Sequence, residues 1–214
     1  MGTGRGDGGG APAVRGLLAL TLVAAALVAA AAPVPPGLSD DQRRRLAAGE
    51  VVVRDVLPPG ASPSARGGTA VAVVRASPEQ VWRILVDYPG HARYYPRVVA
   101  VEVVQSDERR AVVRYDVAIG PFAFSFHMDK YPDPKRRRIE WHLAEGHGHG
   151  LFRENSGYWA VDEVDRGSLV TYAIAVRTVL PAFVTGRSER DSLVETMTAM
   201  RKLAEESTAS PRKP

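Results

Sequence analysis

The sequence predicts an α+β fold in which consecutive antiparallel strands pack against one long C-terminal helix. Within a helix predicted over Leu180–Glu206, apolar residues recur at helical spacing. The clearest strand carries an apolar residue at every second position: Phe122, Phe124, Phe126 and Met128. Such a sheet has one apolar face to bury, and this helix is the only large element predicted that can cover it.

Composition limits the classes of protein that this chain can belong to. The 214 residues, of which 45% are hydrophobic and 24% charged, are typical of a globular protein. The net charge of +4 comes with no nucleic-acid-binding motif, so we expect no nucleic-acid partner. Since the chain has no cysteine, disulfides, thiol chemistry and a lipid-modified cysteine are excluded.

The N-terminal segment is predicted to direct export. Leu17–Ala32 is an apolar run interrupted only by a threonine, shorter than the roughly 20 residues of a bilayer span. A basic start, a short apolar centre and an alanine-rich end indicate a signal peptide over residues 1–31, with cleavage after Ala30 or Ala31. We therefore expect a periplasmic or secreted protein. The alternative is an uncleaved N-terminal membrane anchor.

A proline- and glycine-rich linker is predicted over residues 32–68. It contains a short helix, Asp40–Ala48, for which Ser39 is the N-cap. The β-rich run Glu50–Val56 can add an edge strand to the sheet. At the other end of the chain, residues 207–214 are predicted to be a disordered tail.

The elements of the main domain follow from local signals. The first strand, Thr69–Arg75, precedes a helix with Ser77 as its N-cap and Pro78 at its first position. One further helical turn fits His91–Tyr95. Six more strands are predicted: Val98–Gln105, Ala111–Ile119, one that begins at Phe122, Arg136–Leu143, Phe152–Asp162 and Leu169–Val179.

Short motifs along the chain identify a family in combination. They are Ser77–Trp82, Asp87–Pro89, Tyr95–Pro96, Asn155–Trp159, Gly167–Tyr172 and Leu180–Pro181. With these motifs, residues 69–206 resemble the START-like SRPBCC superfamily, in particular its polyketide cyclase/dehydrase and coenzyme Q-binding branch. The resemblance implies a helix-grip fold: a curved antiparallel sheet of about seven strands wrapped on the C-terminal helix, with two short helices after the first strand.

The resemblance also implies a ligand cavity between the sheet and the helix. The inward faces of the strands are mostly apolar, which favours a hydrophobic ligand. The predicted ligand-binding residues are Tyr115, Val117, Phe122, Phe124, Phe126, Met128, Trp141, Tyr172, Ile174, Met197 and Met200. Ordinary core packing is the competing interpretation for each of them.

The titratable residues do not form a recognisable catalytic or metal-binding motif. His147 and His149 lie in a glycine-rich loop that offers little rigidity, so neither a metal nor a cofactor is predicted. His91 is expected at the surface near the cavity mouth, and His127 on the polar face of its strand. The polar candidates for the cavity, which include Arg177, have no recognisable partner in the sequence.

The leading hypothesis is therefore a non-enzymatic module. It is an exported carrier for a hydrophobic small molecule or lipid, of polyprenyl or quinone-like type, that can contact a membrane surface. The alternative is a cyclase or dehydratase that acts on an aromatic or polyketide-like substrate, which requires a buried polar pair in the cavity. A third class, a protein-interaction module, requires a collapsed cavity and a broad exposed apolar patch.

Overall fold

A computed structural model of the chain describes Met1 and residues 37–179 and 189–209, with only the backbone of Phe122 and Ala209. The chain divides into two units after Ala30, and every element below belongs to the second. The predicted signal segment and the predicted helix start at Leu180–Pro181 lie outside the described residues. None of the helices within the described ranges is long and apolar enough to cross a membrane.

Eight antiparallel strands form one sheet. Their bounds are β1 Val52–Arg54, β2 Arg66–Val74, β3 Val98–Ser106, β4 Ala111–Ile119, β5 Phe122–Asp133, β6 Arg138–Leu143, β7 Phe152–Val164 and β8 Gly167–Thr178. Their order across the sheet is β1-β2-β8-β7-β6-β5-β4-β3, so sequential strands pair except where the chain crosses from β2 to β3. The predicted strands are confirmed, and the β-rich run after the first helix supplies the edge strand β1.

Helices pack on both faces of the sheet: the first helix on the face that carries Val52 and Val71, and the long C-terminal helix on the face that carries Val53 and Ala70. They are α1 Asp40–Ala47, α2 Pro78–Val86, a 3₁₀ helix Tyr88–Arg93 and α3 Glu189–Ala209. The long helix α3 packs against β2, β1 and α2. This is the helix-grip arrangement that the family resemblance implies.

The helix α3 continues into the segment that was predicted to be a disordered tail. The Ser207 and Thr208 hydroxyls donate to the carbonyl oxygens of Leu203 and Ala204, one turn earlier. The helical backbone therefore continues through Ser207 and Thr208. It ends at Ala209, two residues before a proline, where helical backbone becomes unfavourable.

Local capping fixes the start of α2. Ser77 Oγ accepts a hydrogen bond from Gln80 N, and Gln80 Oε1 accepts one from Ser77 N, which completes a capping box. Because the first helical residue is Pro78, no backbone donor is wasted there. The main buried residues of this helix include Val81 and Leu85, which face the sheet.

A small second core joins the predicted linker to the sheet. Leu38 and Leu46 pack against residues of β1, β2 and β8 in a cluster of their own. Thr69 Oγ1 donates to the Val56 carbonyl at 2.7 Å. This hydrogen bond connects the loop after β1 to β2. The described part of the linker is thus an integral layer of the domain.

Because Gly157 on β7 has no side chain, Ala173 on β8 and Trp141 on β6 can pack closely against it. A Cβ atom at this position would lie 2.1 Å from the Ala173 carbonyl oxygen and 2.6 Å from Trp141 Cζ2. We therefore expect Gly157→Ala to destabilise the fold by about 3 kcal/mol, because backbone atoms must move. Gly148→Ala is the matched control, since nothing lies within 4 Å of its added Cβ. Urea unfolding of both variants tests this, and equal midpoints would contradict it.

Candidate functional site

A cavity of about 510 Å³ lies between the sheet and the first half of α3. Its size is within the range of small-molecule sites. The loop that follows the 3₁₀ helix forms part of its wall, as do residues at the start of β2. Its apolar lining comprises Val98, Val117, Ile119, Phe124, Phe126, Leu151, Phe152, Ile174, Val176 and Leu193.

The predicted ligand-binding residues divide between this cavity and the solid core. Five of them line the cavity: Val117, Phe124, Phe126, Tyr172 and Ile174. Five are buried in the core instead: Tyr115, Met128, Trp141, Met197 and Met200. The side chain of Phe122 lies outside the described part of the chain. All ten face the interior, but the void occupies only the end of the sheet near the start of α3.

Stacked aromatic rings form the inner wall. The Tyr172 ring stacks on Trp159 with centroids 4.2 Å apart, and Phe126 stacks on Tyr115 at 5.4 Å. Phe152 meets Phe126 edge-on at 4.6 Å. Such contacts hold large apolar groups in fixed positions, so this wall is a preformed surface.

Two polar side chains of the interior are hydrogen-bonded to tryptophans. Trp159 Nε1 donates to the Tyr95 hydroxyl at 2.7 Å, and Trp141 Nε1 donates to Asn155 Oδ1 at 3.2 Å. Burial raises the pKa of Tyr95 and of Tyr172 above the ordinary value. Both phenols therefore stay protonated at neutral pH and can donate a hydrogen bond to a ligand, but they cannot act as bases.

His91 is buried, and its predicted position at the surface is wrong. It is 1% exposed and bridges two elements of the core. Its Nε2 lies 2.9 Å from the Leu85 carbonyl, which can only accept, so Nε2 carries the proton. The unprotonated Nδ1 then accepts from the Tyr115 hydroxyl at 2.8 Å. Burial, with the nearby charge of Lys130, lowers the pKa of His91 to about 3.

Lys130 is a buried cation that the sequence interpretation missed. It is 2% exposed, and its Nζ lies 4.3 Å from the ring centroid of Trp141 and 5.4 Å from that of Tyr115. Burial lowers its pKa to about 7. The period-two pattern of Phe126 and Met128 continues to residue 130, so the alternation itself indicated an inward side chain.

An ordered loop flanks the opening of the cavity. The backbone N–H of Ser62 and its hydroxyl both donate to the Glu154 carboxylate on β7, at 3.1 and 2.5 Å. Glu154 also lies 3.9 Å from Arg177, which lines the cavity. Ser64, two residues further on, is part of the lining. The linker thus shapes one side of the cavity.

The histidine-rich loop lies outside this cavity. The His127 ring stacks on His147 with centroids 4.7 Å apart, and the His149 ring nitrogen lies 2.8 Å from the Ala144 carbonyl. Across residues 37–179 and 189–209, no three metal-ligating side chains come together. These contacts hold the loop against the residues beside it.

A protein-family model matches the sequence of most of this domain. The model of the polyketide cyclase/dehydrase and lipid transport family matches residues 68–206. The chain belongs to this family. The predicted START-like relationship is thereby confirmed, and the domain has a START-like ligand-binding fold. No curated protein sequence matches the chain.

Solved structures of START-like proteins share the fold at low sequence identity. The Zhui aromatase/cyclase from Streptomyces sp. R1128 is 21% identical, with a TM-score of 0.52, over 65% of this chain and 93% of its own. A STAR-related lipid transfer protein from Xanthomonas axonopodis is 17% identical, with a TM-score of 0.54, over 72% and 92%. A START superfamily protein from Mycobacterium smegmatis is 17% identical, with a TM-score of 0.52, over 64% and 96%. Proteins that share this fold thus include one named for catalysis and one named for lipid transfer.

Proposed function

We propose that this START-like protein is a carrier that holds a hydrophobic small molecule or lipid, such as a polyprenyl or quinone-like compound, in the cavity. The observation that carries the proposal is the 510 Å³ void with its apolar lining and aromatic inner wall. A ligand there gains about 25 cal/mol for each Å² of apolar surface removed from water. Contact with a membrane surface would give the ligand a route in and out.

The chemistry of the interior favours binding over catalysis. A cyclase or dehydratase needs a titratable group in the cavity that can take up a proton near neutral pH. Tyr95 and Tyr172 remain protonated, Asn155 does not titrate, and the carboxylate of Glu189 lies 3.7 Å from Arg66. The hydrogen-bonded pair of Tyr115 and His91 belongs to the core and does not line the cavity, whereas Phe126, which stacks on Tyr115, does.

Export of the carrier is part of the proposal. The apolar run Leu17–Ala32 after a basic start supports it. We expect the protein isolated from its host to begin near Ala31 or Ala32. N-terminal sequencing of that material measures this directly. An intact Met1 in a soluble cytoplasmic fraction would overturn the export proposal without affecting the carrier proposal.

Native mass spectrometry of the protein from its own host tests the carrier function directly. We expect a reproducible co-purified mass that extracts into organic solvent. The neutral fluorescent probe N-phenyl-1-naphthylamine gives an independent measurement on the emptied protein. A protein that carries no such mass and binds no probe would contradict the proposal.

Substitutions in the cavity and in the core should separate binding from stability. Phe124 lines the cavity, so Phe124→Ala should weaken probe binding several-fold at a small cost in stability. Met197 is fully buried and lies in the core, so Met197→Ala should lose about 2–5 kcal/mol of stability through a new void. Probe affinity of the folded Met197 variant should stay unchanged. Fluorescence titration and urea unfolding give both quantities, and the reverse pattern would refute the assignment.

A further inference from the structure

The opening of the cavity carries more positive than negative side chains. Arg66 and Arg177, which line it, are 66% and 45% exposed, and Arg97 is partly buried there. Among the lining residues that the structure describes, the acidic one is Glu189. Arg66 lies 3.7 Å from Glu189 and Arg177 lies 3.9 Å from Glu154, and neither separation is short enough for a hydrogen bond. The guanidinium groups of Arg66 and Arg177 can therefore turn toward a bound anion.

The backbone at Arg97 is strained. Its φ is 70°, in the left-handed region that side chains other than glycine and asparagine rarely adopt. Pro96 precedes it, and the Val98 N–H donates to the Tyr95 carbonyl at 3.3 Å, so Arg97 occupies the third position of a type II turn. Glycine or asparagine is favoured there. Strained backbone conformations cluster at ligand-binding and active sites, and this one occurs at a residue that lines the cavity.

We infer that the ligand is an amphiphile with an anionic head group, a carboxylate or a phosphate, which Arg97 binds together with Arg66 and Arg177. This inference rests on the proposed carrier function and adds the class of ligand. A guanidinium group matches both anions with paired N–H donors. The apolar tail would then lie against Phe124 and Phe126 in the interior.

Ligands that share one tail and differ in the head group test the inference. Dodecanoate, dodecyl phosphate and dodecanol are each used to displace N-phenyl-1-naphthylamine from the full chain. We expect at least one anion to bind about tenfold more tightly than the alcohol, the effect of a charge-assisted hydrogen bond. The ratio should fall as salt concentration rises, because the arginines are partly exposed. The tighter of the two anions distinguishes a fatty acid from a phosphate-headed lipid.

Two matched substitutions assign the preference to the cavity opening. Arg97→Asn removes the charge and keeps a residue that tolerates the left-handed backbone. It should reduce the anion-to-alcohol ratio several-fold, because Arg66 and Arg177 remain, and leave dodecanol affinity unchanged. Arg137→Asn is the control, since Arg137 has a φ of 46° and pairs with Glu79 at 2.5 Å, on α2. This variant should keep the wild-type ratio.

Each outcome separates the inference from the function on which it rests. Equal affinity for the anions and the alcohol would overturn the inference and leave the carrier proposal standing. A preference for anions that survives Arg97→Asn and also Arg66→Gln with Arg177→Gln would overturn the assignment to these arginines. If the probe and all three ligands fail to bind the folded protein, the carrier proposal itself fails.

Discussion

Lys130→Met is expected to stabilise the folded protein at about pH 6 by up to about 5 kcal/mol. The ammonium group of Lys130 is buried among aromatic rings, and burial lowers its pKa from 10.5 to about 7. The difference between these values sets the upper limit on the gain. Attraction between the cation and the rings of Trp141 and Tyr115 offsets part of the cost of burial. Methionine keeps an unbranched stem of similar length without the charge.

The same substitution should change how stability depends on pH. Between about pH 7 and 10.5 the unfolded chain holds a proton on Lys130 that the folded chain has lost, so stability rises with pH across this window. Below pH 7 both states are protonated and the full cost of burying the charge remains. We expect the wild type to gain stability from pH 7 toward pH 10, and Lys130→Met to lack this gain.

Urea unfolding followed by tryptophan fluorescence, at several pH values, measures both effects. Lys202→Met is the matched control, because Lys202 on α3 is 76% exposed and its loss should change stability by less than about 0.5 kcal/mol. Asp129, the neighbour of Lys130 in sequence, pairs with Arg110 at 2.7 Å and does not neutralise Lys130. A Lys130→Met protein that is less stable than the wild type at pH 6 would refute the assignment.

His91 should account for a large loss of stability in acid. Its pKa is lowered to about 3 in the folded state, below the 6.5 of a free histidine. As pH falls from 6.5 toward 3, the unfolded chain takes up a proton that the folded chain rejects, so stability falls. The loss can reach about 5 kcal/mol at the acid end of this window. Above pH 6.5 both states are neutral and this contribution is constant.

His91→Gln tests whether His91 causes the loss of stability in acid, with little change in hydrogen-bonding capacity. The glutamine amide can donate to the Leu85 carbonyl and accept from the Tyr115 hydroxyl, but it does not titrate. We expect a cost of about 1–3 kcal/mol at neutral pH from imperfect packing, and a shallower loss of stability between pH 6.5 and 3. His147→Gln, at an exposed position, should keep the wild-type slope. Equal acid slopes for all three proteins would show that His91 does not cause the loss.

Local interactions explain why much of the fold could be predicted. The alternation along β5 depends on side-chain direction, which a strand fixes at period two. The start of α2 depends on contacts between Ser77 and Gln80, three residues apart. The strand bounds therefore agreed to within a few residues, and the inward faces of β4 and β5 were correctly assigned.

Burial of individual polar residues could not be predicted in this way. His91 is buried because its partners, the Leu85 carbonyl and the Tyr115 hydroxyl, come from other elements. The pattern of β5 pointed Lys130 inward, but a lysine is usually solvated. Its burial depends on Trp141, which lies opposite it on β6. A prediction from residue type alone places such side chains at the surface, although they are buried.

The sequence by itself determined the order of strands and helices and their apolar faces, because periodicity, capping and turns act over a few residues. The helix-grip arrangement of these elements was what the family resemblance implied. Only the tertiary structure decided which interior residues border a void. Phe124 lines the cavity while Met197 lies in solid core, although both face inward. The difference depends on where α3 crosses the sheet, and that is set by contacts between residues far apart in the chain. The left-handed backbone that places Arg97 at the cavity opening was likewise fixed by the folded chain.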